Sequence, residues 1–283
     1  MTADAKTIAT TQTDNNGRFA ELFLKDPSVL TEHAPQGLEW FTWLDSTSVA
    51  ASDEDRLLKV VNLPRDEIVT LDVAKGHWFI QPSLCGADSL VAAGGTMDGS
   101  TVGIYRMHLD GTMATPLTRG PLDIFPVCTA GGKWLFYTDN RNGGNPQLMR
   151  LSLRTGVAQA VAVGGYSSLS PDGKLLAISG TLNPSELQLF STETLQVVKS
   201  FSWAPDPQHL TAFSADGKSI FYVTRTPAGT TISEQPLDTR APLTVATLPG
   251  KFVKSIQESP DGTKLGLVIR TPQTKAVLLR ETH

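Results

Sequence analysis

The residues of this 283-residue chain that could do chemistry are few and scattered. Its five histidines, His33, His77, His108, His209 and His283, lie far apart, and none sits in H-E-x-x-H, a paired C-x-x-C or a calcium loop. Metal ligands need such spacing to converge, so no metal centre and no cofactor are expected. The nearest approach to a nucleophile elbow is "GGYSSLSP", where Gly165, Tyr166 and Ser167 fit G-x-S-x-G but the last glycine is missing. Kinase signatures are absent: no Gly-rich loop with a following strand lysine, no H-R-D and no D-F-G. Asp53 and Asp55 in "SDEDR" read as a solvated turn. "DNRNGGNP" (139–146) and "AAGGTMDGS" (92–100) read as hairpin loops, and their glycines open no helix that could cradle a phosphate. No catalytic set emerges, so a non-enzymatic role is expected.

The two cysteines need the register of the chain before they can be read, and that register is a repeat. "SPDGKLLAIS" (170–179) returns as "SADGKSIFYVT" from Ser214 and "SPDGTKLGLVI" from Ser259. With the glycine of that turn as anchor, the clear positions are Gly173, Gly217 and Gly262, and "TAGGKWLFYTDN" supplies Gly132. Degenerate copies place Ala5, Ser46 and Asp88 in the same phase, and successive anchors are 41–45 residues apart. A period of that length holding several short strands is the signature of a β-propeller. Around Gly173 the unit reads "YSSLS" as inner strand A, "KLLAISG" as B, "SELQLFS" as C and "QVVKSFS" as D. Val, Ile, Leu, Phe, Tyr and Thr dominate these runs, as strands require. The recurring Asp and Gly let the chain reverse between A and B, with Pro171 presetting φ, so the phrase is a folding signal. Cys85 and Cys128 fall one residue out of phase in this register. Side chains alternate along a strand, so the two are expected to point to opposite sides as small buried hydrophobes. Trp40, Trp43, Trp78 and Trp134 sit in or beside A and B strands and read as packing between blades, with a binding-face role as the alternative.

The expected fold is therefore an all-β propeller in one domain, residues 1–283. It has seven repeat phases of about four antiparallel strands, with blades near 1–34, 35–75, 76–120, 121–163, 164–205, 206–249 and 250–283. A six-bladed ring is the alternative. The first unit has B, C and D but no A, and the last has A, B and C but no D. A seven-bladed ring would then lack an inner and an outer strand. This predicts that the chain is the C-terminal part of a longer polypeptide.

With these phrases laid out, the chain resembles the TolB-like, WD-repeat-like propeller family. The carriers are the three turn phrases above, "IYRMHLDGTMATPLTRG" and "DIFPVCTAGGKWLFYTDNR". The order of phrases, with "GLEWFTWLD" and "VLLRETH", is also similar to the C-terminal propeller of acidobacterial Ser/Thr protein kinases and winged-helix signalling proteins. That resemblance implies a protein- or ligand-binding sensor module, placed outside the cytoplasm if its parent is membrane-anchored. A free-standing periplasmic TolB-like scaffold and the propeller portion of a peptidase-type enzyme are the alternatives.

Composition narrows the partners. The net charge is -4 and no Lys/Arg cluster exists to neutralise phosphates, so no nucleic-acid partner is expected. No run of about 18 apolar residues is present to cross a membrane as a helix. The start, "MTADAKTIATTQTDNN", has no basic stretch followed by an apolar one and does not read as a signal peptide. A protein or peptide partner is the expectation. Topology places it at the channel mouth ringed by the loops that enter A strands, where His77, Gln81, Asp123, Tyr166, His209 and Lys254 fall.

Overall fold

The structure is a computed structural model. It describes residues 7–14, 17–99, 101–141, 146–164, 166–179, 186–202, 207–238 and 240–280, without the side chains of 7–14, 34–35, 207–209 and 273–280. In chain order, β1 (Thr7–Asp14), β2 (Gly17–Phe23) and β3 (Leu30–Gln36) come first. Blade 1 is β4 (Leu38–Trp43), β5 (Ser48–Asp53), β6 (Leu58–Asn62) and β7 (Glu67–Thr70). Blade 2 is β8 (His77–Leu84), β9 (Ser89–Thr96), β10 (Val102–His108) and β11 (Thr115–Pro116). Blade 3 is β12 (Asp123–Cys128), β13 (Trp134–Asp139), β14 (Gln147–Ser152) and β15 (Ala158–Val163). Blade 4 is β16 (Ser167–Leu169), β17 (Leu175–Ser179), β18 (Glu186–Ser191) and β19 (Val197–Ser202). Blade 5 is β20 (Pro207–Phe213), β21 (Ser219–Thr226), β22 (Gly229–Pro236) and β23 (Leu243–Pro249). The chain ends with β24 (Phe252–Glu258), β25 (Lys264–Arg270) and β26 (Gln273–Arg280).

Six four-stranded blades form, and the seven-phase reading is corrected at the ends. β24 and β25 are joined in one sheet by β2 and β3, in the order β24-β25-β2-β3. The N-terminal strands C and D thus complete the blade that the C-terminal A and B begin. The inner and outer strands that seemed missing are each supplied by the other terminus. The leftover strands of the seventh phase, β1 and β26, pair with each other and, among the described residues, with no other strand. Their ladder continues that of β2 and β25: Asp14 faces Gln273, and three positions along each strand Gly17 faces Arg270. The seventh phase is a two-stranded ribbon running on from blade 6.

The sequence of the B strands explains the stacking. "SVAAS", "LVAAGG", "WLFYT", "LLAIS" and "KLGLVI" are apolar at successive positions, because a B strand inside a propeller is covered on both faces. Alternate residues enter different apolar clusters. Leu135 and Tyr137 pack towards blade 2, whereas Phe136 packs towards blade 4. Phe221 and Val223 pack against blade 6, whereas Ile220 and Tyr222 pack against blade 4. At the closure, Phe19 of β2 is fully buried with Phe41 and Trp43 of blade 1. Gly266 of β25 is required there, since a Cβ would sit 2.8 Å from both aromatic rings.

The recurring phrase does what its chemistry predicts. Ser170 Oγ donates to Asp172 Oδ1 (2.7 Å), which also accepts from the Lys174 N–H (3.0 Å), and Gly173 takes φ +68°. The same pattern holds at Ser214/Asp216/Gly217 and Ser259/Asp261/Gly262. The hydroxyl and backbone N–H donors hold the three aspartates below the usual carboxylate range.

A histidine clamps the closure. His33 of β3 sets Nε2 2.9 Å from Glu21 Oε2 on β2 and Nδ1 3.0 Å from Asp66 Oδ1 in blade 1. Lys264 of β25 also pairs with Glu21. With a carboxylate at each ring nitrogen, the imidazolium form is favoured, and the hydrogen bond to Glu21 raises the His33 pKa. A group whose pKa is raised on folding contributes stability below its unfolded pKa, and that contribution is lost as pH rises through the folded pKa. His33→Gln is therefore expected to cost on the order of 1 kcal/mol below pH ~6. The difference from the parent should shrink as pH rises through the raised His33 pKa, read as urea midpoints across pH.

Candidate functional site

The six A strands β4, β8, β12, β16, β20 and β24 line a central channel. In five of them the pairing with the neighbouring B strand shifts by a bulge, at Leu38/Trp40, Ile80/Ser83, Ile124/Val127, Pro207/Thr211 and Val253/Ser255. Bulges re-aim side chains. Two carry non-glycine residues in the left-handed region, Gln81 (φ +56°) and Phe125 (φ +54°), each directly before a proline. A residue before proline is ordinarily driven to extended backbone, so both positions hold strain. The bulges are tied together: Gln81 Oε1 accepts the Phe125 N–H at 2.8 Å.

Aromatic rings, two of them on these bulges and one just before β16, plug the channel near the mouth where A strands begin. The Phe125 and Tyr166 centroids are 4.5 Å apart, Trp40 meets Phe125 edge-on at 5.5 Å, and Trp40 stacks on Tyr166 at 6.4 Å. The space left at this level is about 100 Å³. Burial raises the Tyr166 pKa. Over the plug, the Lys254 ammonium lies 5.8 Å from the Trp40 ring and pairs with Glu39, which also holds Arg270. Burial first, then Arg270, lowers Lys254 to about 8.

Below the plug the channel widens into a chamber of about 450 Å³ that opens at the A–B turns and is walled by all six blades. Its polar lining is mostly hydroxyl, from Thr42, Ser83, Ser167, Ser168, Ser170 and Thr211. Trp43, Leu84, Phe213 and Ile256 add apolar surface, and Glu258 is the single charged residue among those lining it.

Of the residues expected at the mouth, Gln81 and Tyr166 line the plug and Lys254 caps it. Asp123 is buried, accepts the Gly120 N–H at 3.0 Å, and lines neither space. Burial raises its pKa, with Asp139 across the ladder adding to the effect. His77 stacks beside Phe79 and meets Tyr105, on the face of blade 2. His209 belongs to β20, but its side chain lies outside the described residues. Asp53, read as a solvated turn residue, is instead buried, paired with Lys59 at 2.5 Å and bonded to the Leu57 N–H. Gly94 and Gly95 lie within β9 and not in a loop. There Phe79 leaves Gly94 no room for a Cβ. The Trp40–Phe125–Tyr166 plug was missed. The X-Pro dipeptides at 81–82 and 125–126, seven residues before their anchors, were the available signal.

The cysteines also differ from expectation. Cys85 and Cys128 form a disulfide between blades 2 and 3, with Cα atoms 5.0 Å apart. The alternation was read correctly but its consequence was not. In stacked blades, residues on opposite faces of adjacent blades face each other, and both cysteines belong to the one cluster between blades 2 and 3.

This fold superposes on known proteins of solved structure. TolB from Acinetobacter baumannii superposes with a TM-score of 0.62 at 18% identity, over 91% of this chain and 66% of that one. The fold is that of the TolB-like β-propellers. Putative TolB from Agrobacterium tumefaciens gives 0.69 at 12% identity, over 92% of this chain and 100% of its own. A chain of the nidogen/laminin complex gives 0.63 at 13%, over 89% and 96%. No family model and no curated protein sequence matches. At these identities the TolB-like likeness is one of architecture. This chain spans just under two thirds of the first TolB.

Proposed function

We propose that this TolB-like propeller is a non-enzymatic binding module that takes a segment of a partner protein into the chamber below its aromatic plug. The observation that carries the reading is the chamber itself: about 450 Å³, walled by all six blades and narrowed to about 100 Å³ at the plug. Apolar surface with dispersed hydroxyls suits a polypeptide, whose backbone needs donors and acceptors and whose side chains need cover. The one charged residue that lines it, Glu258, has no second titratable group in the lining with which to form an acid–base pair. The likeness to a propeller in a nidogen/laminin complex agrees with a protein partner. Gln81 and Tyr166 act as the floor of the site, and Lys254 as its cap on the other side. The finer part of the proposal is service as the sensing end of a larger signalling protein. The size of the native polypeptide in its source cell tests that part.

Ala130 is exposed at the chamber rim, so a bulky side chain there can cover the opening without disturbing the core. Peptides selected from a random displayed library against the parent protein are expected to bind Ala130→Trp at least about tenfold more weakly. They should bind Val198→Trp, on the exposed outer strand of blade 4, unchanged. Equal binding to all three proteins would contradict the reading.

A further inference from the structure

We infer that the chamber selects a basic side chain, a lysine or arginine of the inserted segment, through the carboxylate of Glu258; this rests on the reading of the chamber as a peptide site. Glu258 is the last residue of β24, where the inner strand of blade 6 meets its turn. One carboxylate oxygen accepts the backbone N–H of Ala215 in blade 5, which fixes the side chain across the blade boundary. Among the described residues no cation pairs with it. Asp216, Glu234 and Asp261 lie near enough to oppose its ionisation; Asp216 is itself paired with Lys218, and Lys264 acts on Asp261. A cation entering beside Glu258 therefore meets an unpaired carboxylate and displaces no resident partner.

The class of cation follows from the lining. A divalent metal requires several hard oxygen ligands, and no group of three or more His, Cys, Asp or Glu that could hold one occurs among the described residues. An ammonium or guanidinium on an aliphatic stem fits better. Its stem would lie against apolar wall such as Ile256 and Phe213, and its head would take one carboxylate and neighbouring hydroxyls. The plug leaves about 100 Å³ at its level, too narrow for a threaded strand, so the site suits a side chain or chain end.

Partial burial holds the Glu258 carboxyl above the usual carboxylate range, and the three acidic neighbours push in the same direction. A bound cation favours the ionised form and must lower that pKa. By linkage, affinity for the cation rises as pH increases through the free-state value.

The test uses two end-blocked peptides, acetyl-Gly-Ser-Lys-Ser-Gly-amide and its norleucine counterpart, titrated into the full chain with ¹³C-labelled glutamate and followed by NMR. The lysine peptide should move the Glu258 carboxyl signal, lower its titration midpoint and bind about tenfold more tightly than the norleucine peptide. Glu258→Gln, which can still accept from Ala215, should bring the two peptides to equal affinity. If both peptides shift chamber signals equally in the parent protein, the selectivity is overturned while the chamber remains a peptide site. If neither shifts a chamber signal at millimolar concentration, the peptide-site reading and the inference built on it both fall.

Discussion

Cys85→Ser combined with Cys128→Ser is expected to lower the stability of the propeller by about 4 kcal/mol, the entropy of closing a loop of the 43-residue separation spanned by the bridge. For a chain of this size that is a fall in Tm of roughly 10 °C. The bridge joins the ends of two inner strands, and Cys128 itself lines the chamber. Its loss therefore loosens the wall between blades 2 and 3 as well as the chain. Urea unfolding of protein folded under oxidising conditions, with and without reductant, measures the effect. Reduction should shift the parent midpoint by nearly the full amount and leave the double variant unmoved. Two titratable thiols in native, unreduced protein, with no shift on reduction, would contradict the bridge.

Phe19→Ala is expected to cost about 3–5 kcal/mol, the usual range for emptying a fully buried phenylalanine site. Phe19 has no exposed surface and meets Phe41 and Trp43 edge-on, with centroids 5.0 and 5.7 Å away. Those partners belong to blade 1, whereas β2 is hydrogen-bonded into blade 6. The cavity would open at the ring's closure, where relaxation on either side separates two blades. Phe136→Ala, a fully buried phenylalanine between blades 3 and 4, is the matched control and should cost a similar amount. A Phe19→Ala cost below about 1 kcal/mol beside a full cost at Phe136 would mean that β2 does not close the ring.

Much of this architecture is legible in the sequence because propeller blades repeat the same local chemistry. The S-P-D-G phrase states where each A–B turn falls, and Ser170, Ser214 and Ser259 form the same bonds in the structure. The unbroken apolar runs of the B strands state that both faces are covered. Closure is not written locally. β1 and β26 keep the phase of a seventh unit and pair as its B and C would, so periodicity alone cannot distinguish a blade from a ribbon outside the ring. The cysteine pair was obscured for a related reason. Parity within a strand is a local property, whereas facing across an interface depends on which blades are neighbours. The plug depends on left-handed backbone at Gln81 and Phe125, conformations that the prolines following them ordinarily disfavour. Glu258 lies beside a turn motif that accounts for its neighbours, and its isolation in the chamber emerges only when six strands are brought together.

The central claim is that the two termini build one blade, because that blade brings β24, and with it Glu258, into the chamber wall. Phe23 of β2 lies directly opposite Lys264 of β25 at the end of their ladder. Facing residues of antiparallel strands fall within the range a disulfide can span. The most direct measurement is peptide mapping by mass spectrometry after mild oxidation of Phe23→Cys combined with Lys264→Cys. An intramolecular 23–264 cross-link in high yield, beside the native 85–128 bridge, is the predicted result. Cross-links only between molecules, or none, would contradict the closure and with it the chamber as described.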